Sequence, residues 1–327
     1  MKLLSYPENY SSVFSDNVCR FGQVDPDEPF EVTIVDDVIG VLGAKRFVGS
    51  EEVGCVLGNY LHRRLDPHPL ILDRSAFMEA EGRNVRVTAQ WGESQKSPKM
   101  TFTLSHDKLS FGDVIGGPKQ HRYISPGEMD EVIFVVGRED NISTKLSLST
   151  GECTNIYTKT NLKDGLWAWV VCADEIISRS ARPDELESFQ MVISIGTMEI
   201  VSVTYTLVPP QSGAVRVAWL GSSGQIYYHN FPREMRREVE YSSVEAELAT
   251  GTTILSKSGW EVTRLDSGVV SKEVMDRLAG IATSPRVWVI EDGEVIPVVL
   301  LSAKTTTSGG GRGVSLSLRP TKKTKFW

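Results

Sequence analysis

The chain has 327 residues, of which 40% are hydrophobic, 24% charged and 8% aromatic. That profile is globular, with enough chain for two or three cores, and disorder is not its default. No apolar run approaches the roughly 20 residues that cross a bilayer as a helix, and the start, Met1-Lys-Leu-Leu-Ser-Tyr-Pro-Glu-Asn9, turns polar before a signal-peptide core could form. The expectation is no membrane span, and a chain made in a cytosol that begins near Met1.

The formal net charge of −7 hides an asymmetry. Residues 1–210 hold 20 Lys and Arg against 30 Asp and Glu, a net −10, whereas residues 211–327 hold 15 against 12, a net +3. From Lys304 onward there is no acid, and Lys304, Arg312, Arg319, Lys322, Lys323 and Lys325 form a basic tail. Such a tail could contact nucleic acid or an acidic partner. With no aromatic interleaved to stack bases before Phe326 and Trp327, nucleic acid is disfavoured and a solvated end or a protein contact through Arg312, Arg319, Lys322, Lys323 and Lys325 is preferred.

In chain order, residues 1–115 show strand signals at Phe30 to Val35, Val41 to Val48, Asn84 to Trp91 and Met100 to Leu104. Asn84 to Trp91 alternates cleanly: Val85, Val87 and Ala89 share one face and Arg86, Thr88 and Gln90 the other, as in a half-buried antiparallel strand. Val53 to Leu65 is the stretch here that could be helical, although Gly54 and Gly58 weaken it. A second set follows the Gly116-Gly117-Pro118 break: Glu131 to Val136, Thr144 to Ser149, Gly165 to Cys172, Phe189 to Ile195 and Glu199 to Val208. Several short strands at this spacing predict an antiparallel sandwich in each segment.

Pro209-Pro210-Gln-Ser-Gly213 reads as a linker into a third segment. There, Ala214 to Leu220 turns through Gly221-Ser-Ser-Gly224 into Gln225 to Phe231. Ser271 is placed to cap a helix with Val274, Leu278 and Ile281 on one stripe. The helix leads to two β-branched runs around Asp292-Gly293, the pair that best tolerates the positive φ angles of a two-residue hairpin turn. Thr305 to Gly311 reads as a flexible loop, and Gly313 to Arg319 as a last strand. The expected organisation is a mainly β chain: an N-terminal sandwich-like domain at 1–115, a second at 116–210, and a C-terminal α+β domain with one short helix, a β-hairpin and the basic tail at 211–327.

The candidates for chemistry are weak. Cys19, Cys55, Cys153 and Cys172 lie far apart without a Cys-x-x-Cys pair and read as buried free thiols rather than zinc or redox groups. His62 and His68 have the wrong spacing for one helical face and read as loop residues, not metal ligands. Glu128, Asp130 and Glu131 lack the oxygen-ligand spacing of a calcium loop and read as a solvated turn before a strand. Gly221-Ser-Ser-Gly224 lacks the spacing of a nucleophile elbow, and Gly309-Gly-Gly-Arg-Gly313 sits between strands rather than before a helix. Trp167 and Trp169 share one face of a strand: an outward face would be a stacking platform for a sugar or peptide, an inward one core. No cofactor or metal is expected, and no enzymatic activity.

A resemblance adds to this reading. Val215-Arg-Val-Ala-Trp-Leu-Gly-Ser-Ser-Gly-Gln-Ile-Tyr-Tyr-His-Asn-Phe-Pro232, Leu265-Asp-Ser-Gly268, the Val274 to Ile281 helix, Ser284-Pro285 and Ile296-Pro-Val298 resemble tail-associated proteins encoded by phages and prophages of Bacteroidetes. Phe14-Ser-Asp-Asn17, Phe30-Glu-Val32, Arg46-Phe47 and Val53 to Leu65 are similar to the first module of such proteins. The chain departs from the pattern at Gly221-Ser-Ser, where an Asn soon after Trp-Leu is expected.

The resemblance implies tandem β-sandwich modules of immunoglobulin or fibronectin type III kind and a non-enzymatic structural role in a tail, baseplate or adaptor, within a virion. It implies a homo-oligomer and other tail proteins as partners, with a host-surface glycan as a further candidate. The −10 front and +3 rear would favour head-to-tail stacking. The alternative is a carbohydrate- or peptide-binding multidomain protein of a bacterial surface.

Overall fold

The computed structural model describes residues 1–22, 27–48, 51–137, 141–210, 212–248, 251–291, 293–308, 311–321 and 324–325. The protein is mainly β, with 55% of residues in strands and 10% helical. It divides into two compact units, Met1–Val208 with Ser223–Gln225, and Pro209–Ser222 with Ile226–Trp327.

In the first unit, Val18–Gly22 is the middle strand of a sheet, flanked by Lys2–Ser5 and Glu52–Val56. Facing it is a sheet whose path runs Ser11–Ser12, Met100–Thr103, Asn84–Trp91, Phe30–Asp36, Gly40–Phe47. The alternation in Asn84–Trp91 appears as burial: Val85, Val87, Ala89 and Trp91 are inside, and Gln90 is exposed. Phe21 of the first sheet meets Trp91 of the second edge-on at 5.0 Å, and the Cys19 thiol donates to Met100 Sδ at 3.8 Å. These contacts close a two-layer sandwich.

The expected helix at Val53 to Leu65 is corrected. Its front half is the strand Glu52–Val56, paired with Val18–Gly22, and only Gly58–Leu61 is α-helical, followed by a 3-10 turn at His62–Arg64. Val53, Val56 and Gly54 are poor helix residues, and the paired strand edge supplies the backbone hydrogen bonds a helix would otherwise make.

A second pair of sheets completes this unit. Met129–Val136, Gly165–Cys172 and Ala76–Glu79 form one. The other runs Lys119–Ile124, Met198–Leu207, Ser188–Ile195, Ile142–Leu148, Cys153–Lys159, all antiparallel except Lys119–Ile124, which is parallel to Met198–Leu207. One face of the three-stranded sheet, with Val132, Phe134, Trp169 and Val171, packs on Phe189, Met191 and Tyr205 of the five-stranded one. Its reverse face, with Ile133, Val135, Leu166 and Ala168, packs on Ala80, Leu109 and Ile115. Burial on both faces explains why Met129–Val136 and Gly165–Cys172 read as continuous apolar runs without alternation. Ala76–Glu79 pairs in register with Gly165–Cys172, so one sheet takes strands from both sides of residue 115.

The second unit is built on one antiparallel sheet in the order Ile226–Phe231, Val215–Leu220, Val287–Glu291, Glu294–Ser308, Gly311–Pro320, Gly251–Asp266, Arg233–Leu248, with Thr324–Lys325 against Gly251–Asp266. The helix Lys272–Ala279 begins where expected: Ser271 Oγ accepts from Val274 N at 3.3 Å, and Val274, Met275 and Leu278 pack on Val217, Trp219, Leu316 and Leu318. Glu291 pairs with Glu294 around a two-residue turn in which Gly293 has φ +79°; Asp292 lies outside the described residues. The Thr305 to Gly311 loop is corrected at Thr305–Ser308, which stay in the strand Glu294–Ser308 and pair with Gly311–Val314; residues 309–310 lie outside the described residues. Thr is a good strand residue, and once Ser315 to Arg319 pairs with Val299 to Lys304 the ladder propagates outward.

Candidate functional site

In the second unit, the hairpin of Arg233–Leu248 and Gly251–Asp266, 16 residues in each strand, gives Leu265 to the core at its base and runs on beyond it. Its pairing runs unbroken in direction from Arg233 with Asp266 to Leu248 with Gly251, with shifts at Glu234/Arg236 and Val244/Glu245. Support from a third strand is confined to the base: Gly311–Pro320 meets Thr263–Asp266, and Thr324–Lys325 meets Ser258–Gly259. From the Ser243 and Lys257 pair outward, the two strands pair only with each other among the described residues. At roughly 3.4 Å per residue this outer part projects about 20 Å. Arg233–Leu248 is also the last strand of the sheet, so its outer edge carries no strand among the described residues. Val244 and Ile254, in the outer part, are 57% and 41% exposed. An unpaired edge with exposed apolar side chains is a template for another strand.

A cleft of about 490 Å³ lies on the same unit, lined by Val215, Val289, Ile296, Val298 and Leu318, with Glu261 and Arg319 as charged neighbours. The Arg319 guanidinium lies over the Trp260 ring at 4.2 Å, so one member of the predicted basic patch is engaged within the fold. Arg312 is exposed near the tip of the Glu294–Ser308 and Gly311–Pro320 hairpin, paired with Thr307. Because Arg312 and Arg319 are an odd number of residues apart in one strand, they point to opposite faces of the sheet. Lys325 is held by backbone pairing to Ser258, and Lys322 and Lys323 lie outside the described residues. Arg312 and Arg319 therefore do not share one patch.

Trp167 and Trp169 face the core of the first unit, 6% and 0% exposed. Trp169 packs on Phe77 at 4.5 Å and Tyr157 at 4.9 Å. The Trp167 indole donates to Lys163 O at 2.9 Å, with the Lys159 ammonium over its ring at 4.6 Å. Trp169 has no open face, while Trp167, 6% exposed, lines a cavity of about 530 Å³ together with Phe77 and Lys159, so the inward reading is complete for Trp169 and holds for most of the Trp167 ring.

Of the three acids read as a solvated turn, Glu128 does lie in the turn before the strand, its carboxylate accepting from Ser125 N at 2.8 Å, whereas Asp130 and Glu131 are corrected. Asp130 and Glu131 are 8% and 1% exposed, and as adjacent strand residues they point to opposite faces of the three-stranded sheet. Glu131 takes a two-pronged ion pair from Arg83, at 2.7 and 2.8 Å, with both side chains 1% exposed. Asp130 accepts from Arg122 at 2.7 Å, and the same Arg122 nitrogen donates to Glu131 O at 2.6 Å. Burial, and then the charge of Asp130, push the Tyr205 phenol well above its ordinary range. These pairs tie the central sheet to the layers on either side of it. Nothing local in the sequence announced the Arg83 and Glu131 pair, because its partners are 48 residues apart.

His62 sits in the 3-10 turn with its ring 5.6 Å from Phe14, and His68 Nδ1 lies 3.1 Å from Asp66 O. Among the described residues no three His, Cys, Asp or Glu side chains are grouped to hold a metal ion. No helix among them is long and apolar enough to cross a membrane. No protein-family model matches the chain, and no curated protein matches it.

Proposed function

We propose that the protein is a non-enzymatic structural subunit of a phage or prophage tail assembly, joined to its neighbours through the edge of the Arg233–Asp266 hairpin. The observation that carries this reading is the outer part of that hairpin, which projects beyond its supporting strands with Val244 and Ile254 exposed. Extending the sheet into another subunit would pair the backbone edge of Arg233–Leu248 and give Val244 a cross-strand neighbour. The sequence resemblance to tail-associated proteins points the same way, and the facing sheets of the first unit are read as modules of immunoglobulin or fibronectin type III kind. Copies of the chain and other tail proteins are the partners, in a virion. The difference between the −10 of residues 1–210 and the +3 of residues 211–327 would steer subunits head to tail. The alternative, a glycan- or peptide-binding surface protein, rested on Trp167, Trp169 or Trp91 as an exposed stacking face, and these are 6%, 0% and 7% exposed.

The test is solution mass by light scattering coupled to size exclusion, across concentration and salt, for the full chain and a shortened variant. Replacing Ser243–Lys257 by Asn-Gly closes the hairpin at the Ser242 and Ser258 pair and leaves its base intact. A discrete oligomer of the full chain that loosens with salt, and a folded monomer of the variant, are expected. A full chain that stays monomeric throughout, or a variant that assembles as well as the parent, would refute the proposal.

A further inference from the structure

The fold brings together two cysteines that the sequence keeps apart. Cys19 and Cys55 are direct partners across the antiparallel strands Val18–Gly22 and Glu52–Val56. Direct partners project to the same side, here the space between the two sheets, and both residues are 0% exposed. Leu57 N donates to Asn17 O at 2.8 Å, which marks that pair as hydrogen-bonded; two residues along each strand, the cysteine pair is of the same type. Such pairs have Cα atoms about 5.5 Å apart, inside the roughly 4.4 to 6.8 Å that a disulfide spans, while their Cβ atoms, near the upper end of about 4.5–5.5 Å, must draw together by about 1 Å to reach disulfide range, a movement the edge strand Glu52–Val56 has to supply. Both thiols are free. The other cysteines have no such partner: Cys153 faces Ser147, and Cys172 faces Met129.

We propose that Cys19 and Cys55 are a modification site, a buried dithiol that closes into one cross-strand disulfide when the protein meets a small disulfide oxidant of the glutathione class. One thiol loses its proton and attacks the oxidant's sulfur–sulfur bond, which breaks, leaving a mixed disulfide and releasing one glutathione thiol. The second protein thiolate then attacks the protein sulfur of that mixed disulfide and expels the other glutathione. The two cysteines lose two electrons and two protons, and one oxidised glutathione becomes two reduced ones.

The closed fold restrains this chemistry. Burial, with the neighbouring Cys55, pushes the Cys19 thiol up to about 12, and burial raises the Cys55 thiol as well, so little thiolate is present at neutral pH. Glu52–Val56 is an edge strand, so local opening there exposes the pair without unfolding both sheets. The site is therefore slow in the folded state and fast when that edge opens. Once formed, the bond links the middle strand of the sheet to its edge and closes the intervening loop in the unfolded chain.

The test uses the full chain carrying Cys153→Ser, which removes the exposed thiol, incubated with oxidised glutathione in water and in urea below the unfolding midpoint. Expected are a mass loss of about 2 Da without retained glutathione, a linked Cys19 and Cys55 peptide, and alkylation of Cys172 alone after denaturation. The rate should rise at least about tenfold in urea, and the oxidised protein should melt roughly 5–10 °C higher than the reduced one. Cys19→Ser and Cys55→Ser, each added singly, should abolish both the mass loss and the melting shift. Exhaustive oxidation that leaves both cysteines open to alkylation, leaves glutathione attached to either, or joins one to Cys172 would overturn the proposal.

Discussion

Glu131→Gln tests the reasoning about the buried ion pairs most directly. The substitution keeps the side chain's shape and removes its charge, so the Arg83 guanidinium, 1% exposed and clamped at 2.7 and 2.8 Å, loses its counter-charge. One amide hydrogen would also point at a guanidinium hydrogen. Removing one partner of a buried pair costs about 3–5 kcal/mol, because the remaining charge stays desolvated. Arg83 retains a neutral bond to His68 O at 3.3 Å, which places the expectation near the lower end, about 3 kcal/mol. At a urea dependence of roughly 2–3 kcal/mol per molar for a unit of this size, the midpoint should fall by about 1–1.5 M. Tryptophan fluorescence reports the transition, since Glu131 pairs with Val170, next to Trp169. Arg83→Met combined with Glu131→Leu removes both charges and should recover most of the loss. A Glu131→Gln midpoint within roughly 0.3 M of the parent, or a double variant less stable than the single, would refute the reasoning.

Three further outcomes are expected. Trp169→Ala should lower stability by about 3–5 kcal/mol in urea titrations by opening a cavity against Phe77 and Tyr157, whereas Trp169→Phe should be much milder, since its indole N–H has no hydrogen-bond partner among the described residues. Ser271→Ala should cost about 1 kcal/mol by freeing Val274 N at the helix start, seen as a lower melting temperature of the second unit. His229, driven down to about 4 by burial and then by Arg277 and Arg216, binds its proton less readily in the folded state than at its ordinary 6.5. Its contribution is intact above pH 6.5 and is lost as pH falls from there toward 4. The full shift corresponds to about 3 kcal/mol; partial exposure of the ring reduces this to about 1–2 kcal/mol. His229→Gln should flatten the stability profile of the second unit across that window, and an unchanged slope would count against the assignment.

Several parts of the fold were legible locally. The alternation of Asn84–Trp91, the Gly221–Gly224 turn, the Ser271 cap with its Val274 and Leu278 stripe, and the hairpin around Gly293 each follow from a few neighbouring residues. The candidate site was less so. Arg233 to Leu248 does carry a weak alternation, with Val239 and Tyr241 among glutamates, but its charge masks a strand whose use is its unsupported edge. The stacking reading of Trp167 and Trp169 depended on which way one face points, and that is settled by the sheet packed against it.

By itself the sequence determined the β-rich class, the main turns and the short helix, because periodicity, turn chemistry and capping act over one to a dozen residues. Only the tertiary structure decided that Ala76–Glu79 joins Gly165–Cys172, that Glu131 meets Arg83, and that Cys19 faces Cys55. Those are choices among many chemically equivalent partners distant in the chain. They are made by which strands find a common edge and which faces are jointly withdrawn from water, and no local pattern encodes that outcome.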